Sequence, residues 1–436
     1  MRKFYFTFFT ILFTFIHSQA QFNKSKLNEF FDALEQNDKF NGSVALSKNG
    51  NIIYERSVGF ADVENNLKIN NQTLFRIGSI SKTYTATLIM MAVEENRISI
   101  DQSIDKFFPQ LEKAENISIE MLLNHRSGIF NITADPTYLT WNTQPQTKAD
   151  LLSKIANYKR NFEPGQQLEY SNSNYILLTF ILEEIYQKSY AEILDEKIAK
   201  PLNLNRTKLG DKINTSNNEA NSYQLKGSTW VKFSESDLSI PLGAGVIIST
   251  PEEVIQFGEA LFNEKLVSSK TLDQMIKLNN GFGYGLISFP FNDKRSFGHT
   301  GGIDQFSSMW AYFPEEKVSF AIVSNGSDIS NNDIAIAMLS SVFDVEIDIP
   351  TFKSRDEIEA GIYGTFYNGQ IGMHIQVNEH EGQVFAQATG QMPFPLEKVS
   401  ETVYTFEMGG IEIEYAEDLK SFTLKQGGGE YVFNKE

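Results

Sequence analysis

Strand-forming segments stand at the two ends of one long region of this chain, and helix-forming segments fill the sequence between them. Near the start, residues 43–47 and 51–57 are joined through an Asn-Gly pair that favours a tight hairpin turn. Much later, residues 308–313 and 318–325 form a second hairpin pattern. Because a sheet gathers its strands in space, this spacing predicts one antiparallel sheet with a helical subdomain inserted between its strands.

Apolar residues at helical spacing accompany these strands. Residues 24–36 carry an apolar stripe on one helix face, formed by Leu27, Phe30, Phe31 and Leu34. Helical patterns also cover residues 150–158, 175–186 and 332–343. The predicted fold class is therefore α/β (α+β), an antiparallel sheet flanked by helices with a helical subdomain.

The pattern changes past Pro350. Residues 411–415 read Ile-Glu-Ile-Glu-Tyr, and similar short alternating runs, separated by Gly-containing turns, continue to the end of the chain. Several short strands at this spacing predict a small up-and-down barrel or sandwich, and we expect a small C-terminal all-β barrel. The expected domains are residues 21–350 and 351–436, with the linker near residues 348–356.

The first residues have the composition of a secretion signal. Arg2 and Lys3 precede an apolar run over residues 4–16, and Ser-Gln-Ala ends the segment at Ala20. The run is shorter than the roughly 20 residues that a membrane span needs. We expect residues 1–20 to be a signal peptide cleaved after Ala20, which predicts a bacterial periplasmic or secreted protein without a membrane anchor. The chain has no cysteine, so it forms no disulfide.

The charge balance argues against two classes of partner. The chain has 38 Lys and Arg against 55 Asp and Glu, a formal net charge of -17. Such a field repels nucleic acid and anionic membrane surfaces. The partner expected instead is a small-molecule or peptide substrate.

Metal and cofactor motifs are missing from the sequence. It contains no H-E-x-x-H, no G-x-S-x-G and no phosphate-binding Gly-rich loop. His374 and His380 stand near acidic residues in the strand-rich tail, where a metal site is an alternative and solvated loop residues are the expectation. No metal and no cofactor are predicted.

A serine and a lysine stand one helical turn apart in "FRIGSISKTYTATLIMMAVEENR". A lysine at i+3 faces the serine on a helix, and burial lowers the lysine pKa so that it can accept the hydroxyl proton. Ser79 and Lys82 are therefore a candidate nucleophile and base. The alternative is a helix cap followed by a lysine whose side chain extends to water. Ser103 and Lys106 repeat the spacing, but in a segment with the pattern of a surface turn.

Two distant motifs favour the catalytic interpretation. Tyr170-Ser-Asn172 is the only Y-x-N in a chain with 17 tyrosines. The tyrosine can share protons with the serine, and the asparagine can hold a substrate amide. His299-Thr300-Gly301-Gly302 precedes a strand, where glycines let a substrate lie along the strand edge. The alternatives are a capping turn for the first motif and a simple glycine loop for the second.

These motifs, in this order, resemble the serine β-lactamase-like family, which contains class C β-lactamases, D-alanyl-D-alanine carboxypeptidases, D-aminopeptidases and esterases. Four further stretches are similar to that family, and the likeness covers about residues 24–343. They are "LLNHRSGI", "EPGQQLEYSNSNY", "GAGVIISTPEEVIQFGEAL" and "FGYGLI". The tail resembles the lipocalin-like barrel appended to some members.

The resemblance implies a role for each motif residue. Ser79 attacks the carbonyl carbon and forms an acyl-enzyme, while Lys82 shuttles the proton. Tyr170 acts with the lysine as general base and then protonates the leaving group. Asn172 binds a substrate amide oxygen, and the backbone N–H groups of Ser79 and Gly302 form the oxyanion hole. Within the supporting loop, the histidine of "LLNHRSGI" is structural.

One residue departs from the family pattern. β-Lactamases and carboxypeptidases of this group usually carry lysine where this chain has His299, and the lysine charge helps to hold a substrate carboxylate. An uncharged histidine favours esters, amides or D-amino-acid peptides with other termini. The expected function is an exported serine hydrolase of peptidase or esterase type. The alternatives are a non-catalytic binder of cell-wall peptides on the same fold, and a true β-lactamase.

Overall fold

The computed structural model describes residues 22–226, 229–352, 361–380 and 383–436. The predicted signal peptide and part of the predicted linker, residues 353–356, lie outside the described residues. Within the described ranges, no helix has the length and apolar character of a bilayer-spanning segment.

The helices cluster in the middle of the chain, as the sequence predicts. The α-helices of the described residues are α1 Lys24–Gln36, α2 Ser81–Glu94, α3 Ile119–Leu123, α4 Tyr138–Trp141, α5 Lys148–Asn157, α6 Asn172–Tyr186, α7 Tyr190–Leu194, α8 Lys200–Leu202, α9 Pro251–Phe262, α10 Ser269–Met275 and α11 Asn331–Phe343. Short 3-10 turns occur at Gly78–Ile80, Ile104–Lys106, Ala114–Asn116, Ile132–Ala134, Thr215–Asn217, Leu242–Ala244 and Glu407–Gly409, and a π-helical turn at Asp195–Ala199.

The strands fall into a first group before residue 330 and a second group after residue 360. The first group is β1 Phe40–Lys48, β2 Asn51–Val58, β3 Phe60–Asp62, β4 Leu67–Lys68, β5 Phe75–Arg76, β6 Lys208–Leu209, β7 Tyr223–Lys226, β8 Thr229–Lys232, β9 Ile247–Ser249, β10 Ile287–Phe291, β11 Lys294–Ile303, β12 Phe306–Phe313 and β13 Val318–Ser327. The second group is β14 Gly364–Asn368, β15 Met373–His380, β16 Gln383–Ala388, β17 Phe394–Lys398, β18 Val403–Phe406, β19 Ile411–Tyr415, β20 Ser421–Gln426 and β21 Gly429–Lys435.

The central sheet is antiparallel, with the strand order β10-β11-β12-β13-β1-β2. Side chains point alternately to the two faces of this sheet, and helices cover both faces. Val44 and Leu46 pack in the core cluster that contains α1 and α11, whereas Ala45 belongs to the cluster that contains α2, α6 and α9. The two predicted hairpins are confirmed as β1-β2 and β12-β13, and so is the fold class.

Helix α1 has the bounds that its apolar period predicts, and its four apolar residues are buried. Each such side chain contributes about 1.5–3 kcal/mol when it leaves water. Helix α6 begins at Asn172 rather than at residue 175. The reason is non-local: the backbone N–H of Asn172 donates to Oδ1 of Asn131, 3.1 Å away, so a side chain from another loop satisfies the first turn.

The C-terminal strands β14 to β21 close into an eight-stranded antiparallel barrel, and β14 pairs with β21 through Phe366 and Lys435. Alternate side chains point inward and fill it, among them Ile375, Ile413 and Phe433. The predicted barrel is confirmed, whereas the domain boundary at residue 350 stays a prediction.

Candidate active site

The serine of the first motif lies in the 3-10 turn that leads into helix α2. Gly78 has a φ of +49°, and a Cβ on it would lie 2.7 Å from the backbone nitrogen of Gly302. The chain therefore needs glycine there to bring the serine turn against β11. Ser79 is not a helix cap, because α2 starts after Ile80 and neither helical segment has a side-chain cap at its start. The capping alternative is wrong.

Lys82 lies on the first turn of α2 and is fully buried, so its side chain does not extend to water. Its Nζ atom is 2.9 Å from Oγ of Ser79, 2.8 Å from Oδ1 of Asn172 and 2.8 Å from the carbonyl oxygen of Ala244. The sequence spacing predicts the first of these contacts. The other two come from segments 90 and 162 residues away.

Burial favours the neutral amine at this position. Desolvation holds the pKa of Lys82 well below its ordinary value. A neutral amine has two N–H donors and one lone pair. The two carbonyl-type oxygens can only accept hydrogen bonds, so they use both donors, and the lone pair is left for the hydroxyl of Ser79. The packing thus orients the lysine as a proton acceptor.

Tyr170 lies next to both Ser79 and Lys82. Its ring centroid is 4.8 Å from Nζ of Lys82 and 6.3 Å from the centroid of the His299 ring. Burial raises the pKa of the Tyr170 hydroxyl strongly, and a hydrogen bond with Ser79 offsets only part of that rise. The phenol is therefore protonated at neutral pH. It can pass a proton on, but it is a poor base in its resting state.

Asn172 orients the lysine. Its Oδ1 accepts from Lys82, and its Nδ2 lies 3.0 Å from Oγ1 of Thr133 and 3.3 Å from Oδ1 of Asn131. This network fixes which way the amide points. Asn172 also lines the cleft, but contact between its amide and a substrate stays a prediction.

His299 is buried on β11, with 4% of its surface exposed. Desolvation, followed by repulsion from Lys82 when that lysine is protonated, lowers the pKa of the imidazole to about 4. Its Nδ1 lies 2.5 Å from the carbonyl oxygen of Thr300, which can only accept, so Nδ1 carries the proton of the neutral ring. At neutral pH the position holds no positive charge.

The remaining residues of the histidine motif form a strand edge beside the serine turn. β10 pairs with β11 only as far as Gly298, so residues 299–303 continue past the end of their outer neighbour. A Cβ on Gly301 would lie 2.1 Å from the carbonyl oxygen of Ile77, which makes glycine necessary there. Gly302 is exposed at the cleft, where a substrate can lie along the edge.

His125 supports Tyr170 from behind. The two rings are 4.5 Å apart, and Nδ1 of His125 accepts from the backbone N–H of Ser171 at 3.2 Å. Desolvation, followed by repulsion from the protonated forms of Lys82 and His299, keeps the pKa of this histidine well below its usual value. A neutral His125 is what an accepting Nδ1 requires.

A cleft of about 310 Å³ opens over Ser79. Its lining is largely apolar, and none of the lining residues is Lys, Arg or His. They are Ser79, Thr133, Tyr138, Leu139, Asn142, Asn172, Ile176, Phe233, Ser236, Ile240, Pro241, Ala244, Gly245, Gly302, Ile303 and Asp304. Other clefts in the described structure are larger, but Ser79 lines this one.

The structure keeps two other predicted sets apart from this site. Ser103 donates to Asp105 at 2.5 Å, and Lys106 is exposed on a 3-10 turn, as a surface turn requires. His374 lies on β15 with Nε2 3.3 Å from Oε1 of Glu436. Two contributors to the site, Asn131 and Thr133, lie outside every motif singled out in the sequence, and the carbonyl of Ala244 lies in a stretch whose only signal is its family likeness.

The chain is similar in sequence to known proteins. A family model described as Beta-lactamase matches residues 27–340. Penicillin-binding protein 4* of Bacillus subtilis (strain 168) is 25% identical over 448 residues, covering 94% of this chain and 98% of that protein.

Solved structures share the fold. The D-amino acid amidase of Ochrobactrum anthropi SV3, in complex with D-phenylalanine, is 24% identical, with a TM-score of 0.64 over 74% of this chain and 99% of that one. An octameric penicillin-binding protein homologue from Pyrococcus abyssi is 23% identical, with a TM-score of 0.69 over 94% of this chain and 100% of that one. The second likeness extends through most of the chain, beyond the family match.

Proposed function

The chain belongs to the Beta-lactamase family and is a serine hydrolase, and from that premise we propose that it is an exported enzyme that cleaves esters, amides or D-amino-acid-containing peptides through an acyl-enzyme on Ser79. One observation carries the proposal. The two N–H groups of the buried Lys82 amine donate to Asn172 and to the carbonyl of Ala244, and its lone pair faces the hydroxyl of Ser79.

Acylation begins with proton transfer from Oγ of Ser79 to Nζ of Lys82. Oγ forms a bond to the carbonyl carbon of the substrate, and the carbonyl oxygen becomes an oxyanion. The backbone N–H groups of Ser79 and Gly302 stabilise that oxyanion, with help from the positive end of the α2 dipole. Collapse of the tetrahedral intermediate breaks the bond to the leaving group.

The leaving group departs with a proton. Tyr170 gives its hydroxyl proton to the departing nitrogen or oxygen and is reprotonated from Lys82, which returns the lysine to its neutral form. Water then attacks the acyl carbon. The same groups take one proton from the water and return one to Ser79, so the enzyme is regenerated.

The electrostatics of the cleft support substrates without a free carboxylate beside the scissile bond. No cation lines the cleft in the part of the chain described, and His299 is neutral above a pH of about 4. A carboxylate placed there would lose its hydration without gaining an ion pair. Neutral ester and amide substrates with apolar acyl groups match the lining better.

The matched pair Ser79→Ala and Ser103→Ala tests the nucleophile, because both serines stand in an S-x-x-K sequence. We expect Ser79→Ala to abolish p-nitrophenyl ester turnover and fluorophosphonate labelling, and Ser103→Ala to retain both. Turnover or labelling that persists in Ser79→Ala would reject the assignment.

Two further readouts separate the alternatives. A protein that binds a D-peptide without any covalent adduct would be a binding protein on this fold. Nitrocefin hydrolysis as fast as ester hydrolysis would make it a β-lactamase. N-terminal sequencing of the exported protein tests the cleavage site, and the proposal expects Gln21 as the first residue.

A further inference from the structure

Arg76 is a buried cation three residues before the nucleophile. Its side chain has a relative exposure of 2%. Nη1 donates to Oδ2 of Asp304 at 2.8 Å and to the carbonyl oxygen of Ser236 at 3.0 Å. Nη2 donates to Oε2 of Glu235 at 2.7 Å and to the carbonyl oxygen of Asp211 at 3.2 Å. The guanidinium thus joins the nucleophile segment to three other stretches of chain.

Asp304, which lines the cleft, is the carboxylate partner of Arg76. It occupies the turn between β11 and β12, two residues after Gly302, with a φ of +56°. Its side chain also has a relative exposure of 2%. Oδ2 accepts from Arg76, while Oδ1 accepts from the backbone N–H and the hydroxyl of Ser236, at 2.9 and 2.7 Å. All three hydrogen bonds to this carboxylate hold the β11-β12 turn in place.

The serine turn and strand β11 meet at a close backbone contact between Gly78 and Gly302, which we call the seam. The Gly78 and Gly302 backbones are too close to admit a Cβ on Gly78, and the hydroxyl of Ser308 donates to the carbonyl oxygen of Ile77 at 2.8 Å. The proposed oxyanion donors, the N–H groups of Ser79 and Gly302, stand on opposite sides of this seam. Their separation depends on how the serine turn is held against the strand.

A buried ion pair is an unreliable source of stability, because desolvation of two charges offsets most of their attraction. It is effective at fixing geometry, since a guanidinium that donates to four oxygens and a carboxylate whose two oxygens both accept admit few arrangements. We infer that Arg76 and Asp304 are positioning residues: they clamp the nucleophile turn to the β11-β12 turn and set the spacing of the two oxyanion donors. This inference rests on the proposed function.

The test uses Asp304→Asn, which keeps the shape but removes the charge. Misplacing an oxyanion donor costs about 10²-fold in rate. We therefore expect kcat to fall about 10- to 100-fold while KM changes less than about threefold. Affinity for an arylboronic acid, whose tetrahedral adduct places an oxygen in the same hole, should fall in parallel. Rates are normalised to the sites that a fluorophosphonate titrates, so partial unfolding does not imitate the effect.

Asp328→Asn is the matched control. Asp328 pairs with Lys39, another buried cation, at 3.0 Å, and neither residue lines the cleft. It should lower the unfolding temperature and leave kcat per titrated site unchanged.

The outcomes are distinguishable. If Asp304→Asn keeps kcat within threefold of wild type, or loses kcat with unchanged boronate affinity, the clamp is rejected and the proposed function stands. If wild type shows no turnover that depends on Ser79, the proposed function itself fails.

Discussion

Replacing Lys82 with methionine removes the proposed base and keeps most of the side chain's volume. The site is fully buried, so an unbranched apolar residue fits it without opening a cavity. Two acceptors, Oδ1 of Asn172 and the carbonyl of Ala244, lose their donor, at about 1–3 kcal/mol each. Removal of a buried amine offsets part of this cost, so we expect the variant to fold.

The expected effect on activity is large. General base catalysis contributes about 10²- to 10⁴-fold, which corresponds to roughly 3–5 kcal/mol of transition-state stabilisation. Steady-state kcat/KM on p-nitrophenyl acetate measures the loss. Lys106→Met is the matched control, because Lys106 is the exposed lysine of the second S-x-x-K. A Lys82→Met enzyme within threefold of wild type would refute the assignment of Lys82 as the base.

The same variant has a stability signature. The folded-state pKa of Lys82 lies below its unfolded value near 10.4, so between these two pH values only the unfolded chain holds the proton. Across that window the unfolding free energy of the wild type therefore rises with pH. The contribution of Lys82 to stability is lost as the pH falls through its folded-state pKa. Urea unfolding at pH 7 and pH 9.5 should show wild type gaining on Lys82→Met at the higher pH. An unchanged difference would contradict the buried neutral amine.

Three further predictions concern the surrounding residues. His299 has a pKa of about 4 in the folded protein and about 6.5 in the unfolded chain, so the wild type loses unfolding free energy, on the order of 3 kcal/mol, as the pH falls between these values. His299→Gln should reduce this loss in urea unfolding measured from pH 7 to pH 4. The same pH dependence in the variant would contradict a buried neutral His299. Gly78→Ala places a Cβ 2.7 Å from the Gly302 nitrogen and should lower kcat at least about 10²-fold, whereas near-normal kcat would show that the seam is adaptable. Leu139 is 81% exposed at the cleft, and Leu139→Ser should raise KM several-fold for butyryl over acetyl esters with kcat unchanged; equal KM ratios would place the acyl group elsewhere.

Local patterns predicted much of the fold because they are set by neighbouring residues. The bounds of α1 follow from its apolar period, and the two hairpins follow from alternation and turn residues. The start of α6 did not follow, because its first N–H is satisfied by Asn131 from another loop. An isolated stretch of sequence carries no record of such a partner.

The contacts of the active site likewise include some that the sequence predicts and others that it does not. The serine and lysine meet because i and i+3 residues share a helix face, and the sequence predicts that contact. Arg76 and Asp304 are 228 residues apart, on a strand of one sheet and a turn of another, so only the tertiary fold brings them together. The contact of Asn172 with a substrate amide stays a prediction, and no sequence signal indicated that its Oδ1 also accepts from Lys82. Backbone groups such as the Ala244 carbonyl have no side-chain signature at all.

Peptide-level mass spectrometry of the enzyme quenched in acid during turnover detects the proposed acyl-enzyme itself. With a slowly hydrolysed p-nitrophenyl ester as substrate, we expect the mass of one acyl group on the peptide that contains Ser79, and none on that peptide in Ser79→Ala. Steady turnover with no adduct, or an acyl group on another residue at full occupancy, would contradict it.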